Sequence, residues 1–351
     1  MSFMLFSRRE PYSASMDRVT IAQTANGCVQ KAGSSARAAL VGGAVTVFCA
    51  SVLCAQMPQL DIRAPRPGIG VEAFRAPDMR VDVDLVLLPV IVTNRAGGAV
   101  GGLTAPSFTV LEDNSPKPIV SFGSEDTPCS VGVVVDISGS MQGKTGIAIG
   151  AVRAFFDTAN PDDEAFLMTV STKPDTLSGF THDFGELQSQ LLTARAGGST
   201  ALVDTIQLAL KRLRGAHNPR RALLIVSDGM DNHSRYSEAE LLRTAEEADV
   251  EIYTIGMEPS LANKKPIELT EERSGLAFLD HLASRSGGLS FTMAGYENPV
   301  PTASKIGEAI RNQYVLGYQP SAGEPGKWRA VQVKVSVPQV HVSSRNGYYT
   351  R

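Results

Sequence analysis

No run of basic residues occurs anywhere in this 351-residue chain, and its formal net charge is −3. Nucleic acid is therefore excluded as a partner class, because phosphate recognition needs a concentrated basic patch. Cysteine is nearly absent too. Cys28, Cys49 and Cys54 fall within the first 55 residues, and only Cys129 lies beyond them. Past that point no internal disulfide can form, and a zinc site of cysteine type is ruled out. There is no internal repeat and no low-complexity tract. GSMQGKT at 139–145 lacks the spacing of a phosphate loop, and no G-x-S-x-G elbow surrounds its serine. Stability must then come from a core, which an apolar content of 43% against 20% charged residues can supply.

The one long uncharged run is AALVGGAVTVFCASVLCA at 38–55, preceded by Lys31 and Arg37. A basic flank, an apolar stretch and a small-residue exit read as a secretory signal cleaved after Ala55. A membrane anchor is the alternative, since about eighteen apolar residues just span a bilayer. Met16 as the true start would bring the leader to a more ordinary length. Cleavage removes Arg8, Arg9, Arg18, Lys31 and Arg37 with Glu10 and Asp17. The remainder carries 28 basic and 34 acidic residues, a net charge of −6. Export to the periplasm, envelope or medium is expected, with membrane association through residues 38–55 if the leader stays.

Residues 56–78 hold Pro and Gly without periodicity and read as a linker. Residues 79–125 form a β segment, with Asp113-Asn114 as a turn pair between short strands. From 128 to 312 apolar strands alternate with amphipathic helices. Strands without polar alternation, separated by helices, indicate a mainly parallel sheet covered on both faces. Among the expected helices are 144–159, 237–250 opened by a Ser237/Glu240 capping box, and 274–287. Residues 313–351 return to β without intervening helices. The two β segments are expected to meet in a small sandwich from which the α/β part emerges as an insertion.

Chemistry concentrates where VGVVV at 131–135 ends in Asp136, Ser138 and Ser140. In open α/β sheets, sites form beyond the carboxyl ends of strands. A carboxylate and hydroxyls on a loop of small residues suit a hard divalent cation. Two further loops offer oxygens: GGST at 197–200, and SDG, which places Asp228 at the end of RALLIVS. Taken alone, Asp-x-Ser-x-Ser is equally an ordinary turn and cap; the three loops together are more specific. His217 and His233 flank the strand ending in Asp228, although a solvated loop histidine is the favoured reading of each.

With DISGSM, GGST and SDG in this order, the sequence resembles the von Willebrand factor type A domain over residues 128–312. The resemblance implies a Rossmann-like fold with a metal-ion-dependent adhesion site. Carried over, Ser138 and Ser140 are direct metal ligands. Thr200 binds directly or through water, with Ser199 its competitor, and Asp136 and Asp228 act largely through water. The implied metal is Mg²⁺, with Mn²⁺ or Ca²⁺ as alternatives. Met141, Ser199 and Asp231 are candidates for the partner-binding rim. The flanking segments, LTAPSFTVLEDNSPKPIVSF before the site and YVLGYQP with SSRNGYY after it, resemble the VWFA-related acidobacterial family. The function these resemblances imply is an exported, non-enzymatic module that binds an Asp or Glu carboxylate of a protein partner. A structural envelope protein with a fold-stabilising metal, or a metal-assisted hydrolase, are the alternatives.

Overall fold

The computed structural model describes residues 85–124, 126–194, 196–258 and 266–350. The expected leader and linker, 1–78, lie outside them. Among the described residues no helix is long and apolar enough to cross a membrane.

The chain opens with Val86–Asn94 (β1), Phe108–Glu112 (β2), Ser115–Lys117 (β3) and Ile119–Gly123 (β4). Asp113 and Asn114 both adopt positive φ, 46° and 64°, and so reverse the chain between β2 and β3. Asp and Asn tolerate that conformation best among residues with a side chain.

Next comes Cys129–Asp136 (β5), buried at every position. It leads into Thr145–Phe156 (α1), Glu164–Val170 (β6), Pro174–Thr176 (β7), Phe184–Thr193 (α2) and Leu202–Leu213 (α3). Arg220–Ser227 (β8), Glu238–Glu247 (α4), Glu251–Met257 (β9), Pro266–Ser286 (α5), Ser290–Met293 (β10) and Val300–Arg311 (α6) complete the α/β part. The sheet order is β10-β9-β8-β5-β6-β7, parallel except for the antiparallel edge strand β7. Side-chain alternation divides the central strand between two cores. Val131, Val133 and Val135 join α1, α2 and α6, whereas Val134 joins α3, α4 and α5. Gly132 leaves room for a neighbour's ring: a Cβ there would lie 2.7 Å from Phe166.

The expected helices form. The inner face of α1 is carried by Ala148, Ala151, Val152, Phe155 and Phe156, with Ile147 only partly buried. α5 begins at Pro266 rather than at residue 274. Its first turns lack an apolar pattern because the buried stripe there is Glu272 and Gly275, continued by Phe278, Leu279, Leu282 and Ala283. The Ser237/Glu240 capping box of α4 is present with both of its hydrogen bonds.

The tail comprises Tyr314–Tyr318 (β11), Trp328–Val335 (β12), Val340–Ser344 (β13) and Gly347–Tyr349 (β14). Its strands interleave with those of the N-terminal segment in two four-stranded sheets, β13-β1-β11-β4 and β14-β12-β2-β3. Val86, Leu88, Val90, Val92, Phe108, Val110, Tyr314, Leu316, Tyr318, Val331 and Val333 fill the space between them. Residues 340–349 split between the two sheets. Arg345, at the break, reaches Asp249 at 2.7 Å and the Leu87 carbonyl at 2.7 Å.

Candidate metal centre

Strand order decides where the site lies. The chain leaves β5 toward β6 on one side and leaves β8 toward β9 on the other, so the ends of β5 and β8 border a topological switch point. Val135 pairs with Val226, which brings Asp136 level with Ser227 and just before Asp228. Both aspartates are fully buried.

Four of the five expected metal residues form one hydrogen-bonded chain. Asp136 Oδ1 accepts from the Ser138 N–H at 2.9 Å, and the hydroxyls of Ser138 and Ser140 lie 3.2 Å apart. Ser140 Oγ donates to Asp228 Oδ1 at 3.2 Å. Burial pushes the Asp136 carboxyl up to about 6, against hydrogen bonds from Ser138 and Ser227 that favour its charged form.

Thr200, the fifth, is buried and joins through backbone. The Gly139 N–H donates to the Gly198 carbonyl at 3.0 Å, and the Gly197 N–H donates to the Ile137 carbonyl at 2.7 Å. The two loops are thus stitched together on either side of Ser138. Gly198 has φ +90°, and a Cβ would approach Thr172 Oγ1 within 2.6 Å, so only glycine fits. Asn232 holds the other side of Thr200: its Oδ1 accepts from the Thr200 N–H at 2.9 Å, and its N–H donates to the Thr200 carbonyl at 3.1 Å. Ser199 is half-buried and its N–H reaches Thr172 Oγ1 at 3.3 Å.

Two rim candidates take other roles. Met141 is completely buried in the core beneath the turn, so it cannot touch a partner. Its thioether is the apolar floor of the loop. Asp231 spends both oxygens on backbone, accepting from Val203 at 3.1 Å and from His233 and Ser234, each at 3.1 Å. It caps the start of α3 and positions the loop that carries Asn232. Gly139 and Gly198 are exposed and Ser140, Ser199 and Met230 half-buried, and these form the solvent-facing rim. Of the histidines, His217 pairs with Glu164 at 2.8 Å, at the first residue of β6 and hence at the opposite end of the sheet. The His233 residue is exposed, and its N–H donates to the Thr200 carbonyl at 3.0 Å.

Three side chains that were not among the expected site residues complete the site. Ser227 Oγ donates to Asp136 Oδ2 at 2.6 Å. Lys144, itself buried, places Nζ 3.1 Å from Asp228 Oδ2 and 3.8 Å from Glu272 Oε1. Both partners carried a readable signal. A lysine immediately before a helix faces the unfavourable end of the helix dipole and needs an anion of its own. Glu272 stands in register with an apolar stripe, where a lone acid is out of place.

The donor set fits a divalent cation. The carboxylates of Asp136 and Asp228 are buried beside the hydroxyl oxygens of Ser138 and Ser140, a set of hard oxygen donors with Lys144 against Asp228. Among the described residues no three His, Cys, Asp or Glu side chains converge as a metal cage. A metal here would depend on the serine hydroxyls.

Residues 131–230 match the family model of the von Willebrand factor type A domain. The chain carries a von Willebrand factor type A domain. Several solved structures are similar to it in fold. One is the von Willebrand factor domain of the type V pili tip protein Mfa5 from Porphyromonas gingivalis, at 14% identity and TM-score 0.42 over 57% of this chain and 98% of that one. Another is an aerotolerance-related membrane protein from Bacteroides fragilis, at 16% and 0.43 over 52% and 98%. The pilus adhesin SpaC from Lactobacillus rhamnosus GG, in an open conformation, follows at 9% and 0.44 over 72% and 48%. At these scores no function transfers. Among curated proteins, none matches the chain.

Proposed function

We propose that this chain is an exported, non-enzymatic binding module whose type A domain takes up a divalent cation and through it a protein partner's carboxylate. The observation that carries the reading is the unbroken chain from Asp136 through Ser138 and Ser140 to Asp228 at the switch point. Ser138, Ser140 and Thr200 would hold Mg²⁺, Mn²⁺ or Ca²⁺, with Asp136 and Asp228 as outer carboxylates. When bound, the ion supplies a hard Lewis acid for an incoming Asp or Glu side chain. Neutral hydroxyl ligands leave that ion electrophilic, whereas direct carboxylates would satisfy it from within. The exposed glycines of the rim leave space for an approaching side chain.

A second reading, a metal that only stabilises the fold, is favoured by the near-complete burial of Asp136, Ser138, Thr200 and Asp228. Metal-dependent capture of a partner by the full chain separates the two. For the first reading, Mn²⁺ titration by calorimetry should show one site that Ser138→Ala abolishes while the fold persists. Absence of divalent binding by the intact chain would overturn it.

A further inference from the structure

Among the described residues, Lys144 is the ammonium that lies against the carboxylates of the site, and its charge has the sign of the expected metal ion. Its Nζ lies 3.1 Å from Asp228 Oδ2, the oxygen that Ser140 does not use. Its stem packs beside Gly295, at 3.6 Å from the Cβ position of that glycine. On the far side stands Glu272, 3.8 Å from the same nitrogen. Glu272 belongs to α5, which is pressed against the Asp228 loop. A Cβ on Gly229 would lie 2.1 Å from the Gly275 carbonyl oxygen, and one on Gly275 would lie 2.6 Å from the Asp228 carbonyl oxygen. Backbone therefore meets backbone three residues along α5 from Glu272. A buried ammonium sits between a carboxylate of the metal site and a carboxylate of the helix that covers it.

We propose that Lys144 is the resident cation of this site: it holds Asp228 when no divalent ion is bound, and yields to one by turning to Glu272. The inference rests on the metal-dependent reading above. Two cations near one aspartate repel at short range, and the low-dielectric surroundings strengthen that repulsion. A shift of the ammonium from one carboxylate to the other lowers it without leaving a buried charge unpaired. Metal affinity is then set by Lys144 as well as by the ligands, and Glu272 is a positioning residue that receives the displaced ammonium.

The test is a double-mutant cycle on the full chain, with Mn²⁺ affinity by calorimetry and thermal melting with and without Mn²⁺. Lys144→Met should raise Mn²⁺ affinity by about tenfold or more. It should also lower the melting temperature without the ion and enlarge the shift that Mn²⁺ causes. Glu272→Gln should weaken Mn²⁺ binding in the otherwise native chain but leave it unchanged in the Lys144→Met background. If the native chain binds Mn²⁺ and Lys144→Met binds it no more tightly, or the two substitutions are additive, the inference falls and the metal-dependent reading stands. If neither the native chain nor Lys144→Met binds Mn²⁺, both fall. If only Lys144→Met binds, the lysine holds the site without yielding to a metal, and both the inference and the adhesion reading fail.

Discussion

Ser227 Oγ donates to Asp136 Oδ2 at 2.6 Å and so ties the end of β8 to the end of β5 across the switch point. Ser227 also accepts from the Gly229 N–H at 3.0 Å, which shapes the loop holding Asp228. One hydroxyl thus serves both aspartates. Ser227→Ala should cost about 1–3 kcal/mol, because a buried carboxylate loses a donor. Denaturant unfolding measures that loss, and Mn²⁺ titration of the same variant should show weaker binding with the site still present.

Met141 supports the loop from beneath. Met141→Ala should cost about 2–5 kcal/mol through the cavity it leaves in the core around α1. Its partner affinity, measured at a temperature where the variant is folded, should stay near that of the native chain. A large loss of affinity without loss of stability would return Met141 to the rim.

Gly275→Val tests the seat of α5. The nearest heavy atoms to a Cβ there are backbone atoms of Asp228 and Gly229, which cannot move aside as a flexible side chain could. The substitution should destabilise by about 1–3 kcal/mol or more, and it should weaken Mn²⁺ binding by shifting the Asp228 loop. Wild-type stability in this variant would show that the approach of α5 is not tight.

The sandwich has its own acid-sensitive point. Glu112 is buried; it lies 3.1 Å from the Lys117 ammonium and accepts from Tyr348 at 2.6 Å and the Ser321 N–H at 3.0 Å. Burial acts to raise its pKa, but the hydrogen bonds outweigh it and lower the value from 4.5 to about 2. A carboxylate held ionised below its unfolded value contributes fully above pH 4.5, and that contribution disappears as the pH falls toward 2. Glu112→Gln should cost about 1.5–3 kcal/mol at neutral pH. Melting curves from pH 6 down to about 2 should show the difference from the native chain closing over that window; a gap that stays constant would contradict the assignment.

Where the cause of a feature is local, the sequence alone carried it. The β-branched run of β5, the Ser237/Glu240 cap and the Asp113-Asn114 turn each have their physical reason within a few residues. From them follow the mainly parallel sheet and the alternation of its helices, and with these the end of β5 as the place for a site. The three oxygen-bearing loops were legible for the same reason, because strand ends and small residues mark them. What only tertiary structure decided is which groups share the buried space beyond those loops. Lys144 precedes α1, Glu272 lies on a helix whose first turns look solvated, and Met141 reads as surface until the turn folds over the core. Their roles depend on α5 crossing the Asp228 loop closely enough for Gly229 and Gly275 to touch. That approach joins residues far apart in the chain, and the desolvation that makes Lys144 and Glu272 matter exists only once it has formed.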